Sequence, residues 1–256
     1  MNKLHHVFAK GKAFIPFITA GDPNLAVTEQ LILAMAKAGA DLIEIGIPFS
    51  DPVAEGVVIQ SADSRALAGG VTTDKIFAMV RRIRQTCDIP IAFMTYINPI
   101  FTYGTDRFLN NCQDVGVTAV IVPDMPFEEK EELQPACSAH NIALISMIAP
   151  TSQERIRMIA REAEGFVYCV SSLGVTGVRQ EIGNDAAAMI SVVKEVKDIP
   201  CAIGFGISTP EQAAKMAAIS DGVIVGSAIV KIVEQHGVDC VPHVTEYVRQ
   251  MKAAIK

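Results

Sequence analysis

Two kinds of segment alternate along the chain. Stretches in which apolar residues recur at the 3.6-residue spacing of an amphipathic helix are each followed by a continuous apolar run. AMAKAGADLIEIG, NNCQDVGVTAVIV, REAEGFVYCV and AAISDGVIVG are examples. Because the apolar runs do not alternate with polar residues, they predict parallel strands covered by helices rather than an antiparallel sheet with one wet face.

The pattern predicts eight strands, at residues 14–19, 41–46, 90–95, 117–122, 142–148, 165–170, 201–205 and 221–226. Eight strand–helix units in about 250 residues are typical of a (β/α)8 barrel, the TIM-barrel form of the α/β class. We expect one domain over residues 1–256, since the chain shows no linker or low-complexity segment. A doubly wound sheet is the alternative, but it usually has its Gly-rich loop after the first strand. Here the glycine turns follow the last strands.

The predicted helices have plausible starting residues. Thr151, with Glu154 three residues later, resembles a capping box, and Ser208 precedes Pro210 in the same way that caps precede a first helical turn. The stretch EEKEELQPACSAHN reads as one amphipathic helix between the fourth and fifth strands.

Composition excludes several classes of protein. The net charge is −6 and the acidic residues are spread among helices, which leaves no basic face for nucleic acid and no basic amphipathic stretch for a membrane surface. No apolar run reaches the roughly 18 residues of a membrane span, and the first residues lack the apolar core of a signal peptide. We therefore expect a cytoplasmic protein that binds neither nucleic acid nor membrane.

The cysteines and histidines give no sign of a metal. The six cysteines form no C-x-x-C pair, which favours buried reduced thiols over disulfides or zinc, and the five histidines show no ligand spacing. No metal site is expected.

A barrel of this kind builds its active site at the carboxyl ends of its strands. Two connections there are long, at about 47–60 and 171–183, and long loops in a compact domain are usually lids or ligand-binding segments.

Glycine turns mark two neighbouring strand ends. GFGIS (204–208) follows the seventh strand and GSAIV (226–230) the eighth, each leading into a helix, while GVTG (174–177) offers a third set of N–H donors. Glycine admits a ligand close to the backbone, and a helix start attracts an anion. Tight turns alone would also explain these glycines. Two turns at the positions where barrels commonly hold phosphate, with Ser227 as an added hydroxyl, favour a phosphate site.

Glu44 lies in the middle of an apolar strand. Its neighbours Leu42, Ile43, Ile45 and Ile47 predict burial on both sides, which should raise the pKa of the carboxyl group and suit it to general acid–base chemistry. A structural ion pair is the alternative, although no Lys or Arg in the predicted strands is placed to form one.

Other candidates surround this strand end. Glu55, in the loop after the second strand, is placed to accept a hydrogen bond from a substrate N–H, whereas Asp51 in the same loop suits an Asx-type turn. Asp124, at the end of the fourth strand, suits a cap, a hinge anchor or a contact with this loop. Three aromatic residues are candidates for the wall of a substrate pocket or for the core: Tyr96, Tyr168 and Phe205.

Residue types that are missing narrow the chemistry. The predicted strands contain no lysine, which disfavours a Schiff-base aldolase. A metal-dependent aldolase is disfavoured for want of a ligand cluster. Proton transfer by carboxylates on a small phosphorylated substrate remains.

The motifs as a set closely resemble those of the tryptophan synthase α subunit family, in order and over essentially the whole chain. The matching blocks are FITAGDP, LIEIGIPFSDPVAEG, TYINPIFTYG, VPDMPFEE, GVTG, GFGIS and GSAIVKIVE. The resemblance implies a lyase that cleaves indole-3-glycerol phosphate to indole and glyceraldehyde 3-phosphate, without a cofactor of its own. It also implies a partner, a β subunit that receives the indole, in an α2β2 complex.

The resemblance carries roles to matched positions. It implies that Glu44 protonates the indole ring at C3, that Glu55 receives the indole N–H, that Asp124 positions the 47–60 loop, and that Tyr168 shapes the pocket. It assigns the phosphate to Gly177, Gly206, Gly226 and Ser227, under a closing loop at 171–183. Loops around 47–60, 99–105 and 125–135 are the expected surface for the β subunit.

Three positions depart from the family pattern. Residue 55 is Glu where many members have Asp, Val57 stands where Pro is usual, and Ser172 where Arg often precedes the glycine loop. The longer arm of Glu55 adds about 1.5 Å, and a shift of about 1 Å can cost on the order of 10²-fold in rate.

Two other functions remain open at this stage. One is a non-catalytic subunit that binds phosphate and activates a β subunit allosterically, against which the buried Glu44 argues. The other is a different phosphosugar barrel enzyme, such as an isomerase of histidine or tryptophan synthesis, against which the Glu44 strand and its P-F-S-D-P loop argue.

Overall fold

The computed structural model describes residues 4–170, 182–204 and 206–255. All strand pairs in it are parallel. The strands are β1 (Ala13–Thr19), β2 (Ile43–Gly46), β3 (Ile91–Met94), β4 (Ala119–Ile121), β5 (Ala143–Leu144), β6 (Ser146–Ile148), β7 (Val167–Val170), β8 (Cys201–Gly204) and β9 (Gly222–Val225).

Helices connect the strands and, apart from α1, which precedes the first strand and packs with the barrel interior, cover the outside of the sheet. They are α1 (Leu4–Val7), α2 (Leu25–Ala38), α3 (Val57–Ala68), α4 (Thr73–Ile83), α5 (Ile97–Tyr103), α6 (Thr105–Asp114), α7 (Gln134–Ala139), α8 (Gln153–Glu162), α9 (Ile182–Val196), α10 (Pro210–Ile219), α11 (Ser227–His236) and α12 (Cys240–Ala254). Two short 3₁₀ turns lie at Phe127–Glu132 and Gly237–Asp239.

The sheet closes through one chain segment. Its order is β5-β4-β3-β2-β1-β9-β8-β7-β6, so that β5 and β6 form the two ends. These two strands are halves of the single predicted strand 142–148, separated only by Ile145, whose N–H still donates to Val120 O at 2.9 Å. One half pairs with β4 and the other with β7, and the predicted (β/α)8 barrel is therefore confirmed.

Alternation along the strands sorts the core into two clusters. Residues that point outward pack under the helices, while those that point inward fill the barrel with alternating small and large side chains. The inward cluster is Leu4, Val7, Ala13, Ile15, Leu42, Ala92, Ala119, Ile121, Ala143, Ile145, Phe166, Tyr168, Ala202 and Ile224. A filled interior leaves the carboxyl ends of the strands as the place for a site.

Two local predictions need correction. The loop after β2 ends at Gly56 rather than near residue 60, because α3 begins at Val57. The stretch 128–141 is not one helix: a 3₁₀ turn is followed by α7, which restarts around Pro135, a residue that fits only a first helical turn. Helix α5 was not predicted. The single-domain boundary at 1–256 remains a prediction.

Two expected absences can be examined within the described ranges. No helix there is long and apolar enough to cross a membrane. No group of three or more potential metal ligands is found among these residues either.

Candidate active site

Glu44 is the innermost polar group of the site. In the parallel register it lies beside Phe17 of β1 and Ala92 of β3, and only 1% of the residue is exposed. Burial, followed by the negative charge of Glu55, raises its pKa from 4.5 to about 8. Within the described part of the chain Glu44 has no ion pair, and its Oε2 has no hydrogen-bond partner. The carboxyl group is therefore protonated at neutral pH.

Glu55 lies above Glu44 in a loop that is tied at two points. The Tyr96 hydroxyl accepts a hydrogen bond from Ala54 N–H at 2.9 Å, and the Gln60 side-chain amide donates to Glu55 O at 2.8 Å. Burial, then the charge of Asp63, raises the Glu55 pKa to about 7. Its Oε2 is also buried without a partner among the described atoms. Glu55 thus titrates near neutrality with a free acceptor oxygen.

Asp124 acts on this loop through an intermediate residue. Its Oδ1 accepts from Ile97 N–H at 3.1 Å, so that it caps α5 from a different strand end. The residue at the N-cap position of α5 is Tyr96, which makes no side-chain cap of its own. Asp124 therefore fixes the backbone beside the tyrosine whose hydroxyl holds Ala54. Asp124 thus anchors α5, and its negative charge also raises the pKa of Glu55 in the loop.

Tyr168 points into the barrel from β7 and lies over Gly204. A Cβ at residue 204 would come within 2.5 Å of the Tyr168 hydroxyl, which is why glycine is needed there. Burial raises the Tyr168 pKa well above its usual value, and the charges of Glu44 and Glu55 add to the effect. The phenol therefore stays protonated, close enough to both carboxyl groups for their charges to act on it.

The two helix starts on the opposite side of the barrel differ. Thr209 and Gln212 form a reciprocal capping box at the start of α10. At α11 the N-cap is Gly226, and none of the described side chains caps the helix. Ser227 is exposed at its first position, and Gly206 has a φ of +75°, which favours glycine. The start of α11 is therefore open to an anion.

Some of the predicted residues are not among those that the structure describes. Gly177, Phe205, Ser172 and the 171–181 part of the predicted lid lie outside the described residues. The remaining candidates lie within the strands or in the segments that follow them: Glu44, Glu55, Tyr96, Asp124, Tyr168, Gly206, Gly226 and Ser227.

Sequence reasoning missed Asp63 and Thr19. Asp63 is 5% exposed on the inner face of α3, and Thr19 is 2% exposed at the end of β1. The helical pattern of Val58, Ala62 and Ala66 was the available signal, since it puts Asp63 on the apolar face. The predicted loop extended to about residue 60, so the first turn of α3 was not predicted and its apolar face was not recognised.

The fold and these groups define a (β/α)8-barrel enzyme. It combines a protonated buried acid, a second carboxyl group that titrates near neutrality and an uncapped helix start, which suits acid–base cleavage of a small anionic substrate. The family model described as "Tryptophan synthase alpha chain" matches residues 5–256. The chain belongs to the tryptophan synthase alpha chain family, the lyase that cleaves indole-3-glycerol phosphate.

Individual relatives agree with this assignment. The alpha chain of Lacticaseibacillus casei is 46% identical, over 100% of this chain and 96% of the relative. That of Halalkalibacterium halodurans is 51% identical, over 89% and 86%. The crystal structure of tryptophan synthase subunit alpha from Legionella pneumophila superposes with a TM-score of 0.90 at 37% identity, covering 100% of this chain and 98% of that one.

Proposed function

We propose that the residues described above carry out the retro-aldol cleavage of indole-3-glycerol phosphate to indole and glyceraldehyde 3-phosphate. The observation that carries this assignment is Glu44, an acid held protonated by burial at the centre of the site. A subunit that only bound phosphate would not need a buried carboxyl group, which costs folding free energy.

Glu44 supplies the proton. Its O–H protonates C3 of the indole ring, which makes the ring an indoleninium and weakens the bond from C3 to the side-chain carbon. The resulting carboxylate then accepts the proton of the hydroxyl group on that side-chain carbon. The C–C bond breaks, the electron pair returns to the ring, and the side chain leaves as an aldehyde. Glu44 ends in its starting state, so no cofactor is required for the proton balance.

Glu55 and Tyr168 stabilise the intermediate. The indole N–H becomes more acidic once C3 is protonated, and an ionised Glu55 with a free buried Oε2 is placed to accept it. This hydrogen bond strengthens as positive charge develops on the ring. An interaction that is stronger in the transition state than in the ground state accelerates the reaction. Tyr168 remains a neutral donor within reach of the charges of both carboxyl groups. Tyr96, Asp124 and Phe205 are proposed to complete the substrate pocket.

The phosphate is proposed to bind on the glycine side. The open N–H groups at the start of α11, with Gly226 and the Ser227 hydroxyl, form one wall, and Gly206 with Gly177 the other. The dipole of α11 favours the anion at this end. We propose that residues 171–183 close over it.

A β subunit is proposed to dock on the same face of the barrel. Tryptophan synthase structures from Mycobacterium tuberculosis and Pyrococcus furiosus, the latter solved as a complex, match at TM-scores of 0.89 and 0.86. Of five exposed large hydrophobic residues in the described part of the chain, three lie at these strand ends: Val53, Val57 and Phe101. Exposed apolar groups clustered on one face suit a partner surface. The proposal includes an α2β2 stoichiometry. It also includes a cytoplasmic location, which the free cysteines support.

Indole release tests the proposal. Purified chain is incubated with indole-3-glycerol phosphate, with and without a β subunit, and indole is measured. Wild type should release indole, faster with the partner, and Glu44→Gln should lose at least about 10³-fold in kcat. No release from wild type even with the partner would favour the non-catalytic alternative. A Glu44→Gln variant as active as wild type would refute the assigned mechanism.

A further inference from the structure

Helix α3 follows the catalytic loop directly and carries its end. The first residue of α3, Val57, comes two positions after Glu55. The Gln60 side chain, in the first turn of the helix, donates to Glu55 O at 2.8 Å. The backbone and this hydrogen bond therefore join Glu55 to the start of α3, and a tilt of the helix moves the carboxyl group.

Apolar burial holds α3 only weakly. The buried residues of this helix are two alanines and an acid: Ala62, Asp63 and Ala66. The neighbouring helix α4 instead buries five large side chains: Ile76, Phe77, Met79, Val80 and Ile83. Hydrophobic stabilisation grows with the apolar area removed from water, and an alanine methyl group buries little of it. Helix α3 therefore needs other contacts to fix its position.

Arg65 supplies such contacts from the last turn of α3. Its Nε and Nη2 donate to the two carboxylate oxygens of Asp22, at 2.9 Å each. Its Nη1 donates to Glu234 of α11, also at 2.9 Å. The planar guanidinium group can make these bonds at the same time because its donors point in several fixed directions. One side chain thus joins α3 to the loop after β1 and to α11.

Both partners of Arg65 belong to well-packed segments. Asp22 is 3% exposed, and the N–H of Gly21 beside it donates to Thr28 Oγ1 at 2.9 Å. A Cβ on Gly21 would come within 2.2 Å of Val71, so this loop lies tightly against the chain that leaves α3. Helix α11 is held by three buried apolar side chains: Ile229, Val230 and Val233. Arg65 therefore ties a weakly packed helix to two fixed points.

We propose that Arg65 is a positioning residue for the lyase reaction, which fixes the end of α3 against Asp22 and Glu234 and thereby sets the position of Glu55 over the substrate. This inference rests on the function proposed for Glu55. A shift of about 1 Å in a catalytic group can cost on the order of 10²-fold in rate. Because the hydrogen bond to Glu55 strengthens in the transition state, its misplacement lowers kcat more than it changes KM.

Two variants of the full chain with its β subunit test the kinetic effect. Arg65→Lys keeps a positive charge beside the buried Asp22 but loses the fork that also reaches Glu234. It should lower kcat by about tenfold and change KM by less than about twofold. Glu234→Ala leaves the pair with Asp22 intact, so it serves if Arg65→Lys fails to fold. It should lower kcat by about two- to threefold.

Arg82 provides the matched control. It also forms a fork between two helices, since its Nε and Nη2 donate to Glu29 of α2 at 3.0 and 2.8 Å. Its helix, α4, carries none of the residues assigned to the site and is held by its own large side chains. Arg82→Lys should therefore leave kcat and KM unchanged. Arg65→Lys with wild-type kcat, measured well below its unfolding temperature, would show a purely structural role and overturn the inference.

Hydrogen exchange in the unliganded chain separates failure of this inference from failure of the proposed function. Ala54 N–H donates to the Tyr96 hydroxyl, so its exchange rate reports how firmly the loop is held. The β2 amides, followed by NMR in the same sample, report any loss of global stability. Relative to them, Ala54 should exchange at least about threefold faster in Arg65→Lys and in Glu234→Ala, whether or not the chain is an active lyase. Unchanged Ala54 exchange in folded Arg65→Lys would overturn the inference, as would an equal rise in Arg82→Lys.

Discussion

The two sides of the barrel mouth differ in the groups that they present to a substrate, side chains on one side and backbone on the other. Around β2 the site is made of side chains. Burial and the charge of Glu55 raise the pKa of Glu44, while burial and the charges of Asp63 and Asp124 raise the pKa of Glu55. Around β9 it is made of backbone, with Gly226 leaving the N–H groups of α11 open. One side holds protons and the other attracts an anion.

This difference predicts which property of the protein a substitution on each side should affect. The acid side carries its chemistry in groups that destabilise the fold, so changes there should trade stability against activity. The glycine side costs little, because helix starts are ordinarily solvated or capped. Changes there should alter substrate binding and leave the fold intact. Four predictions test this contrast, from the largest expected effect to the smallest.

The largest effect is expected on stability when Glu44→Gln removes the buried acid. The folded-state pKa of about 8 lies above the unfolded value of about 4.5, so the folded wild type binds more protons between these pH values. Its free energy of unfolding should therefore fall as pH rises from about 4.5 to 8. The variant should lack this part of the pH dependence. Its free energy of unfolding, taken relative to that of wild type, should therefore increase by on the order of 3 to 5 kcal/mol between pH 5 and pH 9.

Urea unfolding of both proteins at the two pH values measures this increase. The difference in free energy of unfolding at pH 5 serves as the baseline, because it contains the effect of the amide itself. Equal slopes for the two proteins would show that Glu44 is ionised in the folded state at neutral pH.

The second effect concerns the arm of Glu55. Glu55→Gln should lower kcat/KM by about 10²-fold, since the amide carries no charge for the developing cation. Glu55→Asp should lower it by about tenfold, because the loop is tied at Ala54 and at Glu55 O and a shorter arm withdraws the carboxylate. Steady-state kinetics of indole release measures both. An aspartate variant at least as active as wild type would show that the loop moves to adapt.

The third effect is on the glycine side. Ser227→Asp places a negative charge where the phosphate is proposed to bind, and KM should rise at least about tenfold while kcat changes little. Acidic residues are favourable in a first helical turn, so the fold should persist. Thr209→Asp is the matched control on α10, where the cap is already satisfied. Equal KM changes in the two variants would remove the distinction between the two helix starts.

The smallest effect is expected from Thr209→Ala. Loss of the cap on α10 should lower the free energy of unfolding by about 1 kcal/mol, measured in urea, with KM unchanged. A large change in KM would instead place the start of α10 in the phosphate site.

Much of the fold was predictable because its signals are local. The eight apolar runs lie where the strands are, since burial on both faces leaves no freedom for polar residues. Helix boundaries were less accurate: Ser152 and Thr209 are the caps, each one residue after the predicted Thr151 and Ser208. Neighbouring hydroxyl and acidic residues are chemically equivalent as caps, and only the path of the chain chooses among them.

The site was predictable where one residue broke a pattern and not where several elements meet. Glu44 stands out in its strand, and the glycine turns follow theirs. Three interactions join residues that are distant in sequence or on an unpredicted helix face: Asp124 caps α5, Tyr96 holds Ala54, and the charge of Asp63 raises the pKa of Glu55.

The sequence by itself determined the barrel, the burial of Glu44 and the family, because strand periodicity and motif spacing are written in consecutive residues. Only the tertiary structure decided which ionisable side chains lie close enough to shift one another's pKa. The pKa of Glu55 depends on Asp63 and Asp124 as well as on its burial. Electrostatic interactions act through space, and closure of the barrel sets those distances.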